Sequence, residues 1–280
     1  MERGIIGMAL EPTDLITTIE VAEEAGYDVL ELRVDMVVPY LAQGHTVEAL
    51  VDKFESVRLR PHVLSAIENI DMPEGPERRE MIALYRRMCE VARAIQCPSI
   101  QVVSGAWFAD SPWPTIRKET ARGLREMADI GAEYGIFVVY EPLAWMPVRS
   151  LEQTLDVIDE TDHPNVGPLV DTFQIFAGGG EMETIRGLDP ETIFTVHLAD
   201  TGPKQLDEWA DEDRYAMPGD GIVPVRELMA AILSTGYDGV VCDEIWSGRY
   251  NSWSRLRIAK TLKAKGDAIL ASLTGEDTSE

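Results

Sequence analysis

Residues 137–141 read FVVYE, a short run of β-branched and aromatic residues that ends in an acid. Three later runs have the same character: residues 167–171 read GPLVD, 195–198 read TVHL and 240–244 read VVCDE. Longer segments with helical periodicity separate them, which is typical of parallel strands that alternate with helices. The pattern therefore predicts βα units joined by right-handed crossovers.

The same alternation extends over the whole chain and predicts eight strands, with helices between them. We expect one closed (β/α)8 barrel of the α/β class over residues 1–273, followed by an acidic tail at 274–280. A doubly wound open sheet is the alternative, but no Gly-x-Gly-x-x-Gly turn follows the first predicted strand. The predicted strands cover 5–10, 29–33, 61–65, 100–104, 137–141, 166–170, 193–198 and 239–245. The predicted helices cover 15–25, 47–57, 77–94, 116–134, 151–159, 224–235 and 253–270.

Charge and composition exclude several classes of protein. The 280 residues include 25 Lys and Arg against 49 Asp and Glu, a net charge of −24, and 45% are hydrophobic. Such an acidic chain is a poor nucleic-acid binder and lacks a basic membrane-binding surface. No apolar run approaches the length of about 20 residues that a membrane span needs. Three cysteines without a Cys-x-x-Cys pair predict reduced thiols and a cytoplasmic location.

Ionisable side chains occupy the ends of the last four predicted strands: Glu141, Asp171, His197 and Glu244. Any one of them alone is more typical of a helix cap, a solvated acid or a core histidine. In a barrel, however, the carboxyl ends of the strands converge on one pocket. Three carboxylates and an imidazole would then repel one another unless a cation lies among them. The set predicts one divalent metal ion, Mn²⁺ as first choice, with Mg²⁺, Co²⁺ or Zn²⁺ as alternatives.

Other residues are candidates for the walls of this pocket. His62 lies in the third predicted strand, and Trp107 and Trp246 follow the fourth and eighth. Aromatic rings at these places are suited to packing against the C–H faces of a sugar. The polar segment 199–223, after the seventh strand, is long enough to act as a lid that excludes water.

Several stretches carry a resemblance to a known family: AEEAGYDVLELR, VVYEPL, HPNVGPLVDTFQIF, IFTVHLADT, DEDRYAMPGDG and GYDGVVCDEIW. The sequence resembles the sugar isomerase/epimerase family with the xylose-isomerase-like TIM barrel, and within it the inosose (2-keto-myo-inositol) isomerases. The resemblance implies that Glu141, Asp171, His197 and Glu244 bind the metal. It implies that Arg214, in an Arg-x-x-x-Pro-Gly-Asp-Gly turn, contacts substrate oxygens. Related barrels commonly form homodimers, but the oligomeric state is not readable from this sequence.

One position departs from the family pattern. The family usually has Asp-x-x-His after the sixth strand, whereas this chain has Asp171-Thr172-Phe173-Gln174. Gln174 can donate and accept hydrogen bonds at a substrate oxygen, but it carries no proton or charge at neutral pH.

These observations predict a metal-dependent isomerase or epimerase of a keto-sugar or cyclitol, in which Glu141 and Glu244 move the proton next to a carbonyl. A metal-dependent dehydratase or lyase on a related compound starts with the same step and stays open. A non-catalytic sugar-binding barrel is a further alternative. The DNA-repair endonucleases of the same superfamily fit poorly, because they need more histidines and a basic face. An uncharged substrate is favoured, since no Lys or Arg accompanies a phosphate-binding glycine turn.

Overall fold

Eight parallel strands pair in chain order, and the eighth pairs with the first to close a barrel. The protein is described by a computed structural model that covers residues 1–204 and 209–275. The closed ring of eight parallel strands confirms the predicted (β/α)8 barrel. The strands are β1 Glu2–Ile6, β2 Val29–Arg33, β3 Arg60–Ile67, β4 Ser99–Val102, β5 Phe137–Tyr140, β6 Val166–Asp171, β7 Thr195–Leu198 and β8 Val240–Asp243.

The helices that connect these strands bury one apolar face against the barrel. Asp14 and Ser150 cap two of them by accepting hydrogen bonds from Thr17 N and Gln153 N. The helices are α1 Leu15–Ala25, α2 Val34–Ala42, α3 Val47–Glu55, α4 Pro76–Ala94, α5 Trp113–Tyr134, α6 Leu151–Thr161, α7 Thr172–Gly178, α8 Met182–Arg186, α9 Val225–Ser234 and α10 Arg255–Thr274.

The seam between β1 and β8 depends on close packing and a buried ion pair. Gly4 lies opposite Cys242, and a Cβ at Gly4 would lie only 2.3 Å from the Cys242 sulfur. The guanidinium of Arg3 donates to Asp243 at 2.5 Å, and the hydroxyl of Tyr27 donates to the same carboxylate at 2.6 Å. The buried carboxylate of Asp243 thus accepts hydrogen bonds from two donors that lie outside β8.

Except for β2 and α1, the predicted elements differ from the observed ones by one to four residues at one or both ends. The first strand begins at Glu2, and the apolar segment Gly7–Leu10 forms a 3-10 helix instead of continuing the strand. Helices α2, α7 and α8 were not predicted, because α2 contains Pro39 and the other two have only seven and five residues. The proposed tail at 274–280 lies, from residue 276 onward, outside the described residues.

The segment after β7 is long and poor in regular structure, as expected. In its described part it contains one 3-10 helix, Asp211–Asp213, while residues 205–208 lie outside the description. Buried Asp200 anchors it by accepting hydrogen bonds from the backbone N–H groups of Thr201, Gly219, Gly221 and Val223 at 2.8–3.0 Å. The Pro-Gly-Asp-Gly turn is thus folded around one carboxylate.

Within the described residues, no helix combines the length and the apolar character that a membrane crossing requires.

Candidate metal centre and substrate cavity

Four ionisable side chains meet at the carboxyl end of the barrel. Glu141 directly follows β5, Asp171 ends β6, His197 is the third residue of β7, and Glu244 directly follows β8. All four are buried, and one potential ligand atom from each lies within 4.8 Å of those of the other three. Parallel strands of a closed barrel bring these side chains together, although each belongs to a different βα unit.

The potential metal-ligand atoms of the four side chains face one another. His197 Nδ1 lies 3.2 Å from Glu244 Oε2, 3.8 Å from Asp171 Oδ2 and 3.9 Å from Glu141 Oε1. Glu141 Oε1 and Asp171 Oδ2 are buried and have no hydrogen-bond partner among the described residues. Buried carboxylate oxygens without a donor are costly unless a cation satisfies them. This donor set fits a divalent metal ion.

The pKa values of the three acids in the cluster are shifted in different directions. Burial raises the pKa of Glu141 and of Asp171 well above the usual range, and the neighbouring Glu244 carboxylate adds to both shifts. Burial also opposes ionisation of Glu244, but Arg214 and His197 outweigh it and lower its pKa. Glu244 is therefore the carboxylate that stays ionised most readily, and a bound cation would hold the other two in the same state.

Arg214 joins the segment after β7 to this cluster. Its guanidinium Nη1 lies 2.7 Å from Glu244 Oε1, and it also pairs with Asp211. Its backbone oxygen accepts a hydrogen bond from Trp246 N, which ties the segment to the loop after β8. The side chain is only 4% exposed. A fixed, desolvated positive charge thus stands at one side of the cluster.

A cavity of about 630 Å³ reaches the cluster at two of its four side chains, Glu141 and Glu244. Glu141, Glu244 and Arg214 line it, together with Gln101 from β4 and Trp145. Gln101 donates from Nε2 to Glu141 Oε2, while its own Oε1 is buried and has no partner among the described residues. The sequence reasoning missed Gln101, although a polar residue inside an apolar strand is a signal that a sheet face is polar at that point.

Gln174 is buried at the start of α7, close to the chain that follows Glu141. Its Oε1 accepts a hydrogen bond from Ala144 N at 2.8 Å, and its backbone N–H donates to Asp171 Oδ1 at 2.6 Å. Its Nε2 has no hydrogen-bond partner in the part of the chain that the structure describes. One end of the amide is thus anchored, and the donor end is left for a further acceptor.

Three residues proposed for the pocket wall are not among the lining residues of the main cavity, although Trp107 contacts Asn69, which does line it. His62 is at the amino end of β3, where it stacks on Phe194 and lines a different cavity. Trp107 is 51% exposed and donates its indole N–H to Asn69, and Trp246 lines a small separate cavity. The aromatic side chain that lines the main cavity is Trp145, with the Arg214 guanidinium 5.9 Å from its ring centroid. Position after a strand end did not by itself decide which ring turns inward.

A further buried acid contacts the cluster from the opposite side of the barrel. Glu31, in the middle of β2, places Oε2 at 2.8 Å from His197 Nε2, and both side chains are fully buried. Burial alone would lower the pKa of His197, but Glu31 and Glu244 together raise it. The sequence reasoning missed Glu31, whose only signal was an acid within the apolar stretch VLELR.

The chain is similar to curated enzymes over nearly its full length. It is 26% identical over 264 residues to the inosose isomerase of Bacillus velezensis, covering 94% of each chain. It is 25% identical over 256 residues to the inosose isomerase of Halalkalibacterium halodurans, covering 91% of this chain and 90% of that one. A segment of 132 residues is 30% identical to the 3-dehydroshikimate dehydratase of Pseudomonas putida, covering 46% of this chain and 21% of that one.

Solved structures have the same fold. The IolI protein with a bound zinc atom superposes with a TM-score of 0.91 at 23% identity, covering 98% of this chain and 99% of that one. The D-psicose 3-epimerase of Clostridium cellulolyticum H10, solved with D-tagatose, superposes with a TM-score of 0.76 at 18% identity, covering 98% and 99%. The sequence model of the xylose isomerase-like TIM barrel family matches residues 19–265, and the chain belongs to that family.

Proposed function

We propose that this protein is a divalent-metal-dependent isomerase or epimerase of an uncharged keto-sugar or cyclitol of the inosose class. The observation that carries the proposal is the convergence of Glu141, Asp171, His197 and Glu244, two of which, Glu141 and Glu244, line a cavity together with Arg214. Full-length similarity to inosose isomerases supports the substrate class. Mn²⁺ is our first choice of metal, with Zn²⁺, Mg²⁺ and Co²⁺ as alternatives.

The reaction needs a base, an acid and a place for negative charge on the substrate oxygen. A divalent ion held by the four side chains would supply a Lewis acid for the substrate's carbonyl and adjacent hydroxyl. Glu141 and Glu244 come from β5 and β8, so they flank the position above the cluster from different sides. We assign proton removal and return at the substrate α-carbon to these two carboxylates. Arg214, 2.7 Å from Glu244, stands where it can stabilise charge developing on oxygen.

The surroundings of the cavity favour a neutral, polyhydroxylated substrate. The two guanidinium groups that line the cavity are already paired with acids, Arg214 with Glu244 and Asp211 and Arg33 with Asp35, so neither is free to bind an anionic group of the substrate. Gln101, which lines the cavity, offers an uncharged acceptor in its unpartnered Oε1. Trp145 supplies an apolar face against which a sugar ring can pack.

The test is to incubate the Mn²⁺-loaded protein in D₂O with a panel of inososes and ketoses and to follow the products by NMR. We expect deuterium at the carbon next to the carbonyl, a shifted carbonyl or an inverted centre, and no loss of water. Glu141→Gln and Glu244→Gln should each lower this exchange by at least about 100-fold, which is the lower range for a general acid or base. Normal exchange in both variants would contradict the assignment.

The same experiment separates the alternatives. Loss of water from a substrate would identify a dehydratase, the activity named for the partly matching Pseudomonas putida relative. Binding of a ligand with neither exchange nor product would identify a sugar-binding barrel.

A further inference from the structure

The side chain of Glu31 crosses the barrel interior to reach a residue on a strand that is not its neighbour. Strand β2 pairs with β1 and β3, whereas His197 lies on β7, 166 residues further along the chain. Glu31 Oε2 and His197 Nε2 are 2.8 Å apart, and both side chains are 0% exposed. Among the described residues, His197 is the hydrogen-bond partner of this carboxylate, through Oε2. The other oxygen, Glu31 Oε1, is buried and has no hydrogen-bond partner there.

The chemistry of the two groups gives this contact a direction. A carboxylate accepts hydrogen bonds and a neutral imidazole donates from one nitrogen only. When a divalent ion binds at Nδ1, that nitrogen must offer its lone pair, so the ring hydrogen lies on Nε2 and donates to Glu31. Nδ1 is the atom that faces Glu141, Asp171 and Glu244 at 3.2–3.9 Å.

A purely structural role does not account for a carboxylate at this position. Burying a carboxylate in a barrel core is costly, and an apolar side chain of similar size would fill the space at lower cost. The other buried residues of β2, which are Val29, Leu30 and Leu32, follow that rule and are apolar. What Glu31 adds is a fixed orientation of the ring opposite it.

We propose that Glu31 is a positioning residue that holds the His197 ring with Nδ1 toward the three carboxylates, and so sets the affinity of the site for its divalent ion. The inference rests on the proposed metal centre but does not depend on which substrate the enzyme takes. Ligating histidines generally use such a partner, and its loss costs about 10–100-fold in metal affinity.

The experiment is a calorimetric titration of the chelator-treated full-length chain with Mn²⁺. Glu31→Met removes the acceptor at similar volume and should weaken binding by about 10–100-fold. Glu31→Gln keeps one acceptor oxygen and should lose less. Thr195→Val is the matched control, because Thr195 is equally buried on β7 and its hydroxyl faces Cys242 instead of the cluster. It should bind Mn²⁺ like the wild type.

A second measurement reads the ring itself. In the protein loaded with diamagnetic Zn²⁺, ¹⁵N NMR should find His197 protonated at Nε2 in the wild type and a mixture of ring states in Glu31→Met. If Glu31→Met does not fold, Glu31→Gln carries both measurements.

The results also separate this inference from the proposed function. Wild-type affinity in both Glu31 variants, or a wild-type His197 protonated at Nδ1, would overturn the role of Glu31. A wild-type protein that binds Mn²⁺ but exchanges no substrate proton would contradict the proposed function. The Mn²⁺ titration of the Glu31 variants would still decide the positioning role of Glu31. A wild-type protein that binds no divalent ion would overturn both.

Discussion

One histidine lies near each end of the barrel, and the surroundings shift the pKa values of the two imidazoles in opposite directions. Near the carboxyl end, burial disfavours the charge on His197, but Glu31 and Glu244 outweigh it and raise the pKa well above 6.5. At the amino end, His62 stacks on Phe194 with the ring centroids 5.0 Å apart, and burial lowers its pKa to about 4. At His197 the neighbouring acids outweigh the effect of burial on the pKa, whereas at His62 burial outweighs the effect of Glu31 and Glu2.

The position of each residue within its strand explains the difference. All eight strands are parallel, so the start of every strand lies at one end of the barrel and the finish at the other. His62 is the third of eight residues in β3, and His197 is the third of four in β7, directly before the strand ends. The position of a histidine along its strand therefore decides whether it lies at the amino end of the barrel or at the carboxyl end, where barrel enzymes have their active sites.

The largest expected effect comes from removing each imidazole in turn. His197→Ala should lower Mn²⁺ affinity by at least about 100-fold, because a ligand counts for more than the outer partners that cost 10–100-fold. His62→Ala, the matched change at the other end, should leave Mn²⁺ affinity at the wild-type value. Calorimetric titration measures both. Equal losses in the two variants would show that the contrast between the ends is wrong.

Arg214 should have the next largest effect, because it brings the only guanidinium paired with Glu244 in the described part of the chain. Arg214→Met should lower kcat by about 10²–10³-fold, the range for loss of one donor to a developing oxyanion. Arg249→Met is the control, since that guanidinium lies over the Tyr215 ring at 3.2 Å and does not line the cavity. Similar kcat values in the two variants would remove Arg214 from the proposed mechanism.

His62 should make the stability of the protein depend on pH. Its pKa is about 4 in the folded chain against 6.5 as the ordinary value, so the unfolded chain binds more protons between these limits. The free energy of unfolding should therefore fall as the pH drops from 6.5 to 4, by up to about 3 kcal/mol. His62→Phe keeps the stacking and should lose this part of the pH dependence. Urea unfolding of both proteins across this range measures the difference, and parallel curves would contradict the assignment.

The smallest expected effect concerns the anchor of the segment that carries Arg214. Asp200→Asn leaves one acceptor oxygen for four backbone N–H groups and should lower the free energy of unfolding by about 2 kcal/mol. Asp220→Asn, in the same turn, breaks a surface pair with Lys265 and should change it by less than about 1 kcal/mol. Urea unfolding compares them. An equal change in both would mean that Asp200 does not organise the turn.

Much of the barrel follows from local sequence. Strand β2 and helix α1 have the predicted bounds, because alternating and helical periodicities are read within a single element. The four residues of the candidate metal centre also carry a local signal, since each is an ionisable residue at the end of an apolar run. Their convergence needed only the assumption that eight parallel strands close into a barrel.

The supporting residues could not be found in this way. Glu31 and Gln101 lie within strands, and nothing in their neighbouring sequence names a partner. Their contacts with His197 and Glu141 arise because barrel closure points both side chains inward at the same depth as the cluster. Trp107, Trp145 and Trp246 all follow strand ends, and only the path of each loop decides that Trp145 faces the cavity.

The sequence by itself thus determined the fold class, the order of the elements and the four strand-end side chains. These depend on residue type and periodicity over short stretches of chain. The tertiary structure alone decided which histidine joins the acids, which tryptophan forms a wall, and which buried side chains hold the cluster in place. Those outcomes depend on distances between atoms far apart in the chain, and such distances exist only once β8 pairs with β1 and closes the barrel.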